Sequence, residues 1–379
     1  MNKGKKLVFG ASLLVGALAM TVPERAMALN NFTPACTKID NTAHVDFKVG
    51  TIAQGAGGLG VDSTTATFYV GVKVNVAVAT TDAADVTVYP GSADTLLHFR
   101  ITNNGNAPQR YALSYVQEAD TTPSPFVGGG NDSYNATDVT LSSATIASLA
   151  PDDYQDITIS ADTPLSQTDA QVAVYALKAQ SQWVGNSANV TVDGTATGAN
   201  IGGAVCGVPG PDVQNIDVVV GDASSDNDAA RDGAHSARSA YKVMAANLTI
   251  TKSSQVVYDP VNCSSYSPLV CPGTVRAIPG AVVEYTVAIA NSATGTATNV
   301  TVKDAIPANL TFLADGYAAG KGVQVDADNL YGGVATALTN VGADDEGDYN
   351  VTNPGAVTVT GIQVGNGQTA YAKFRATIN

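Results

Sequence analysis

The stretch that decides the fold runs from residue 247 to residue 312. It opens with NLTITKSS at 247–254, continues through a cysteine-bearing insert, and closes with AIPGAVVEYTVAIANSATGTATNVTVKDAIPANLTF at 277–312. Apolar and polar residues alternate on either side of Pro279-Gly280 and of the Gly295 turn, which is the period-2 pattern of strands joined by tight turns. The stretch therefore predicts an antiparallel β-sandwich, and it contains no recognisable catalytic motif.

The first 28 residues have the features of a secretory signal peptide. Three lysines lie within the first six residues, an apolar run covers residues 7–22, and Ala26-Met27-Ala28 has the small-x-small pattern of a cleavage site. The apolar run is short for a spanning helix, so an uncleaved membrane anchor is the weaker alternative. We expect an exported protein that begins at Leu29, has no transmembrane segment after cleavage, and works outside the cell or at its surface.

Composition and charge limit the classes of partner. The chain has 379 residues and a formal net charge of −14, although only 14% of its residues are charged. A surface of scattered aspartates repels nucleic acid and anionic lipid, so neither is expected as a partner. About 350 residues remain after signal cleavage, which exceeds the usual size of one hydrophobic core and predicts two domains.

Four cysteines remain after export, and an even number in an exported chain indicates disulfide bonds. Cys263 and Cys271 lie eight residues apart in a loop rich in proline and serine, and they are the expected local pair. Cys36 and Cys206 would then pair and tie the N-terminal segment to the far end of the first domain. The cysteine spacing does not match that of a zinc site.

Alternating runs separated by clusters of Gly, Pro, Asn and Asp fill the chain from His44 to about residue 193. Strands at this spacing without intervening helices predict an antiparallel sandwich. Residues 222–244 break the pattern, because they are polar and Ala-rich, and a short helix fits the sequence only there. The predicted organisation is a signal peptide at 1–28, an N-terminal β-sandwich domain at 29–221, an acidic connector at 222–244 and a second sandwich domain at 245–379.

The two halves share a weak sequence repeat. Pro90-Gly91 precedes an alternating strand that ends at Asn103, and Pro279-Gly280 precedes one that ends at Asn291. The two spacings differ by one residue, which a β-bulge would absorb. Duplication of one unit and convergence on common β-sandwich patterns are both open at this point.

Residues 247–312 resemble the DUF11 repeat, the conserved repeat domain of bacterial secreted and cell-surface proteins. The matching elements are 247–252, Pro279-Gly280, 283–291, 299–302, and 304–307 followed by 310–312. Residues 228–243 also resemble the connector that precedes such repeats. The resemblance implies an Ig-like β-sandwich and a role in the bacterial envelope or outside the cell, and it brings no catalytic residues. The insert that contains Cys263 and Cys271 departs from the repeat.

An acidic run at the start of the connector is the one candidate metal site. Oxygen-bearing side chains occupy alternate positions, and the candidate Ca²⁺ ligands are Asp222, Ser224, Asp226, Asp228 and Asp232. Because Ca²⁺ takes six to eight oxygens from a short flexible loop, such a run can converge on one ion. The glycine and the closing glutamate of an EF-hand are absent, and a solvated acidic linker is the competing interpretation. No other cofactor is expected.

The sequence gives little support for acid–base or nucleophilic catalysis. Its three histidines, His44, His98 and His235, are far apart in the chain. It contains no Gly-x-Ser-x-Gly nucleophile motif and no Gly-rich phosphate loop between a strand and a helix. We expect no enzymatic activity and no catalytic or cofactor-binding residues.

The predicted function is structural. We expect a secreted cell-surface spacer, matrix or filament subunit that acts through β-sandwich packing and edge-strand contacts. Its expected partners are further copies of itself or other cell-envelope proteins, and residues 29–49 could donate a strand to a neighbour. The alternative is an adhesin or carbohydrate-binding module of the envelope, with glycans as ligands. Trp183 with Tyr175 is a candidate sugar-binding face, but packing in the core is the favoured interpretation of these two aromatics.

Overall fold

The computed structural model describes residues 32–55, 60–197, 215–266 and 269–379. An N-terminal group of strands comprises β1 (Lys38–Asn41), β2 (His44–Val45), β3 (Lys48–Val49), β4 (Ile52–Ala53), β5 (Val61–Asp62) and β6 (Ala66–Tyr69). The next group comprises β7 (Val72–Val74), β8 (Val76–Thr80), β9 (Val86–Val88), β10 (Thr95–Asn103), β11 (Gln109–Gln117), β12 (Thr137–Leu141), β13 (Thr145–Leu149), β14 (Tyr154–Asp162), β15 (Val172–Gln182), β16 (Gly194–Thr197), β17 (Asn215–Val220) and β18 (Ala234–Val243).

The C-terminal group comprises β19 (Leu248–Tyr258), β20 (Val282–Asn291), β21 (Ala297–Ala305), β22 (Leu310–Phe312), β23 (Val323–Asp326), β24 (Thr336–Leu338), β25 (Gly347–Tyr349), β26 (Ala356–Val364) and β27 (Thr369–Ile378). The described residues contain no helix. The prediction of an all-β, Ig-like sandwich fold is confirmed.

The first sandwich consists of two sheets packed face to face. One has the strand order β12-β14-β10-β8 and the other the order β13-β11-β15-β18-β9. On β10, the fully buried Leu97, Phe99 and Ile101 alternate with more exposed polar residues, as the sequence pattern predicts. They share one core with the buried Tyr175 and Tyr241 of the opposite sheet. Burial of this apolar surface is the main term that stabilises the sandwich.

The connector, for which the sequence predicts a short helix, contains a loop over 222–233 followed by strand β18 (Ala234–Val243). β18 lies between β15 and β9, in the interior of a sheet of the first sandwich. The Ser239 hydroxyl donates a hydrogen bond to Asp82 at 2.7 Å, and the Tyr241 hydroxyl donates one to the Thr95 carbonyl at 2.8 Å. Small alanine and serine side chains fit this crowded position, so tertiary packing outweighs the helix propensity of the segment. The expectation of a helix in the connector is therefore corrected.

The second sandwich packs a large sheet on a small one. The large sheet has the order β19-β20-β27-β23-β24, with β22 pairing with β27, and the small sheet has the order β21-β26-β25. Its core contains the buried Ile289, Phe374 and Val323 from the large sheet and Val359 and Ile362 from the small one.

Corresponding turns begin the repeated strands. Gly91 has a φ of 82° and donates its N–H to the Thr163 carbonyl at 2.9 Å. Gly280 has a φ of 84° and donates its N–H to the Ile378 carbonyl at 2.8 Å. Because glycine adopts positive φ without steric cost, the two Pro-Gly pairs have the same local role.

Strand β10, the repeated strand of the first sandwich, ends at the buried Asn103, whose side chain forms hydrogen bonds with three backbone groups. The Asn103 side-chain amide donates to the carbonyls of Ala107 and Leu149, each at 2.9 Å. Its side-chain oxygen accepts the Gly105 N–H at 2.9 Å.

The second sandwich repeats this corner at Asn291. The side-chain amide of Asn291 donates to the carbonyls of Gly295 at 2.6 Å and Val364 at 3.0 Å. Its oxygen accepts the Ala293 N–H at 3.1 Å. The bond partners lie two and four residues after the asparagine in both sandwiches, which supports duplication of one unit.

Candidate interaction surfaces

The N-terminal strands form a long two-stranded hairpin, called here the β-arm (residues 38–55 and 60–69). β1 pairs with β6, β2 with β5 and β3 with β4, and these strands pair only with one another among the described residues. At its base, the Val70 N–H donates to the Thr37 carbonyl, and the chain then enters β7 of the first sandwich. The inner edge of residues 38–49 is therefore occupied within the chain. Residues 29–31 lie outside the described residues, and a strand donated by 29–49 to a neighbour stays a prediction.

One face of the β-arm is apolar and uncovered. The register places Val45 opposite Val61 and Val49 opposite Ile52, so these side chains lie on the same face. The large apolar side chains of the arm are between 46% and 69% exposed: Val45, Phe47, Val49, Ile52, Val61 and Phe68. An isolated two-stranded hairpin is only marginally stable in water, so such a face favours contact with a further layer.

The opposite face of the β-arm is polar and nearly balanced in charge. His44 Nδ1 lies 2.5 Å from Asp62 and its Nε2 lies 3.1 Å from Asp46. Lys38 pairs with Asp40 at 3.2 Å. The β-arm is therefore amphipathic across its thickness.

A second surface is the outer edge of β19. This 11-residue strand is terminal in its sheet and pairs only with β20 among the described residues. Most of its residues are exposed, including Ile250 at 65%. Proline is absent from the strand, so the amides along its outer edge can pair with another strand.

The single charged side chain of β19 is already engaged. The Lys252 ammonium donates to Asp304 on β21, in the opposite sheet, at 2.7 Å. It also lies 4.8 Å from the ring centroid of Tyr285. Lysine on an edge strand commonly discourages pairing with other chains. Here the charge is largely compensated by a carboxylate of the same sandwich.

The cysteine-bearing insert is fixed at both of its ends. Cys263 and Cys271 form a disulfide bond with their Cα atoms 4.1 Å apart. Asp259 accepts the backbone N–H groups of Asn262 at 2.6 Å and of Arg276 at 2.7 Å. The Asn262 side chain, together with these backbone amides, lowers the pKa of Asp259 to about 2.

A half-buried ion pair attaches the insert to the large sheet. Arg375 on β27 donates to the Glu284 carboxylate on β20 at 2.8 Å and to the Gly316 carbonyl at 2.7 Å. It also donates to the Tyr266 hydroxyl of the insert at 3.3 Å. The insert therefore covers this outer part of the second sandwich.

Four of the five predicted calcium ligands accept hydrogen bonds within the protein. Asp222 accepts the backbone N–H groups of Asp232 at 3.2 Å and Gly233 at 3.0 Å, and burial raises its pKa. Asp232 caps the Ala234 N–H at 2.9 Å, and the Asp226 carboxylate accepts the Arg238 N–H at 3.2 Å.

The two remaining candidates differ in their surroundings. Asp228 accepts a short hydrogen bond from the Ser225 hydroxyl, and Ser224 is exposed. Within the described residues, no group of three or more His, Cys, Asp or Glu side chains could hold a metal ion. The acidic segment is a loop held mainly by hydrogen bonds that backbone amides donate to its carboxylates.

The most enzyme-like cluster has the wrong order for a catalytic triad. Asp82 lies between the other two side chains: it accepts the Ser239 hydroxyl at 2.7 Å, and its other oxygen lies 2.9 Å from His98 Nδ1. In a triad the histidine lies between the serine and the aspartate, so that it can take the hydroxyl proton. Ser239 is also fully buried. The cluster joins strands β10 and β18 rather than exposing a nucleophile.

A hydrogen-bonded contact joins the two sandwiches. Asp169 accepts the Ala245 N–H at 2.9 Å and both the hydroxyl and the N–H of Thr294, at 2.6 and 2.8 Å. Burial raises the pKa of Asp169, but these bonds outweigh it and leave the pKa lowered. A cleft of about 680 Å³ lies beside this contact, and Tyr89 and Met244 are among its lining residues.

Other predicted features have a simple outcome. Trp183 and Tyr175 are buried, so they do not form an exposed sugar-binding face. Among the described residues no helix is long and apolar enough to cross a membrane. The signal peptide and Cys206 lie outside the described residues, so the Cys36–Cys206 pair stays a prediction.

No protein-family model and no curated protein matches the chain. Similar solved structures include the collagen adhesin from S. aureus, at 10% identity and a TM-score of 0.21, covering 81% of each chain. A chaperone–tip adhesin complex of CFA/I fimbriae biogenesis is 7% identical, with a TM-score of 0.23, covering 78% of this chain and 86% of that one. The Enterococcus faecalis MSCRAMM ACE is 8% identical, with a TM-score of 0.21, covering 80% and 81%. Scores this low carry no inference of function, which is therefore argued from the chain's own residues.

Proposed function

We propose that the protein is a non-enzymatic structural protein of the bacterial cell surface, a spacer, matrix or filament subunit that contacts its neighbours through strand edges. The observation that carries the proposal is the outer edge of β19, which pairs with no strand in the part of the chain that the structure describes. An exposed edge of this length presents a row of backbone N–H and C=O groups that a strand of a neighbouring molecule can complete.

Two features of β19 support this role. Its only charged side chain, Lys252, forms an ion pair with Asp304 of the same sandwich, so its charge does little to oppose pairing of another strand at the edge. Ile250 adds an exposed apolar side chain that a second strand would cover. The resemblance of residues 247–312 to the DUF11 repeat supports placement at the bacterial surface.

The test compares assembly of the chain from residue 29 with that of two charge variants. Ile250→Lys adds a charge at the edge strand, where it should oppose pairing with another strand. Tyr371→Lys adds the same charge on β27, which has neighbouring strands on both sides. Light scattering and negative-stain microscopy should show concentration-dependent oligomers for the unmodified chain and for Tyr371→Lys, and a clear loss for Ile250→Lys. Equal assembly of all three chains, or no species larger than a dimer at any concentration, would refute the role of the β19 edge.

A further inference from the structure

The uncovered apolar face of the β-arm has a different geometry from the β19 edge. The edge presents backbone groups, whereas the arm presents a flat layer of Val, Ile and Phe side chains. Both strands of the arm have their backbone partners on the inner side within the hairpin. The outer edges of the arm also pair with no other strand among the described residues. What distinguishes the arm from the β19 edge is its apolar side-chain face, and covering that face takes a second layer.

We propose that the β-arms of two copies of this chain pack face to face and form a two-fold symmetric dimer. The apolar faces would become the two inner faces of a small four-stranded sandwich, with the layers about 10 Å apart. Val45, Phe47 and Phe68 of each copy would lie in the shared core. Such an isologous contact closes on itself and uses the same patch twice.

The available area fits this occupant. The six exposed apolar side chains of the arm present together roughly 600 Å² of apolar surface, at the upper end of the largest patch found on ordinary monomers. Two such faces would bury about 1,200 Å² in total, which reaches the lower end of specific protein interfaces.

The charge distribution also favours a second copy. Lys38 and Lys48 stand against Asp40, Asp46 and Asp62 in the β-arm, so the arm has one excess negative charge while the whole chain has a net charge of −14. Two acidic molecules can approach at the arm with little repulsion. A membrane surface is disfavoured, because amphipathic elements that bind membranes usually have a polar face rich in Lys and Arg.

The proposed arm dimer rests on the proposed function only in that both involve association of copies of this chain. Either the arm contact or the β19 edge contact can be absent while the other is present. The arm contact gives closed dimers, whereas edge pairing at β19 would join dimers into larger species. Ile250→Lys should therefore leave the dimer intact.

The deciding experiment measures dimer dissociation by sedimentation velocity on the chain from residue 29. Phe47→Asp introduces a carboxylate on the apolar face, and the matched control Ala53→Asp introduces it on the opposite face, across from Lys48. We expect Phe47→Asp to weaken dimerisation at least about 100-fold and Ala53→Asp to change it little. Equal effects of the two variants, or a monomeric unmodified chain at every concentration, would overturn the proposal.

A second measurement does not depend on a disruptive variant. Phe47→Trp places an indole in the arm, and its emission is obtained by subtracting the spectrum of the unmodified chain, which contains the buried Trp183. This difference emission should shift to the blue as concentration rises and the two arms meet. An emission maximum that stays at its solvent-exposed position would overturn the proposal. So would an unmodified chain that remains monomeric but floats with zwitterionic lipid vesicles, since the face would then be a membrane contact.

Discussion

Replacing Asn291 with alanine should destabilise the second sandwich by about 3 kcal/mol and leave the first sandwich almost unchanged. The buried side chain donates to the Gly295 and Val364 carbonyls and accepts the N–H groups of Asn247 and Ala293. Each hydrogen bond contributes about 1 kcal/mol net, and a buried partner left unsatisfied costs about 1–3 kcal/mol. Four bonds at the net value sum to about 4 kcal/mol, and rehydration of the opened turn lowers the expected loss to about 3 kcal/mol.

Differential scanning calorimetry of the full chain from residue 29 measures this effect. For a domain of this size, a loss of about 3 kcal/mol corresponds to a decrease in melting temperature on the order of 10 °C. Asn103→Ala should lower the transition of the first sandwich by a similar amount, because Asn103 has the equivalent contacts. Asn104→Ala is the matched control, since Asn104 is exposed and its backbone N–H bond to Asn75 does not involve the side chain.

The outcome for Asn291→Asp separates hydrogen bonding from simple loss of volume. Aspartate has almost the same shape but cannot donate to the Gly295 and Val364 carbonyls when it is ionised. We expect at least as large a loss of stability at neutral pH, with partial recovery as the pH falls and the carboxyl becomes protonated. A decrease below about 2 °C for Asn291→Ala, or an equal decrease in both transitions, would show that the Asn291 hydrogen bonds do not stabilise the second sandwich.

Further predictions concern the insert, a buried carboxyl and the junction. Replacing both Cys263 and Cys271 with serine should lower the free energy of unfolding of the second sandwich by about 2–3 kcal/mol in urea titrations, on the chain-entropy estimate for a short loop; an unchanged midpoint would contradict it. Burial raises the pKa of Asp132 to about 6, and one of its oxygens has no hydrogen-bond partner among the described residues. Because the pKa of Asp132 is raised in the folded state, the free energy of unfolding falls as pH rises from about 4 to 6. Asp132→Asn should therefore stabilise the chain by about 1 kcal/mol at pH 7 and not at pH 4 in urea titrations. Equal effects at both pH values would contradict this. The pKa of Asp169 is lowered instead, so its bonds to Thr294 stabilise the junction above the ordinary carboxyl pKa and are lost as pH falls below it. Small-angle scattering should show a larger radius of gyration for the unmodified chain in acid, and for Asp169→Ala already at neutral pH. Identical scattering profiles would contradict this.

The turn chemistry of the sequence predicts the repeated corner well. Pro-Gly pairs and strand-ending asparagines have strong local preferences, so their positions are informative without tertiary information. The one-residue difference in spacing between the two halves is present in the structure, where Asn103 and Asn291 nevertheless make equivalent bonds. The pattern could not show which carbonyls across the sheet they would reach, because that depends on the register of distant strands.

The connector shows where local patterns fail. Alanine and serine in 222–244 favour neither strand nor core by themselves, and the position of β18 inside a sheet is set by its neighbours β15 and β9. The alternating aspartates suggested a cation site. In the structure, backbone N–H groups donate hydrogen bonds to the carboxylates of Asp222 and Asp232. Aspartate side chains in turns often accept such bonds from nearby backbone.

The β-arm was foreseen only in part. Alternation predicts that Val45, Phe47 and Val49 share one face of a strand. In the structure Val45 pairs with Val61 and Val49 with Ile52, so apolar residues face each other across the hairpin. Alternation also predicts that such a face is covered, because most amphipathic strands pack on their own core. Only the three-dimensional structure shows that the face remains exposed.

The most direct test of the central claim is amide hydrogen exchange along β19, measured on the chain from residue 29 at low and high concentration. If neighbouring molecules pair at this edge, amides on the outer edge of residues 248–256 should become protected as the molecules assemble, because a neighbouring strand completes their hydrogen bonds. The Ile250→Lys chain should show no such gain. Assembly without any change in the exchange of β19 would contradict the claim that this edge joins the molecules.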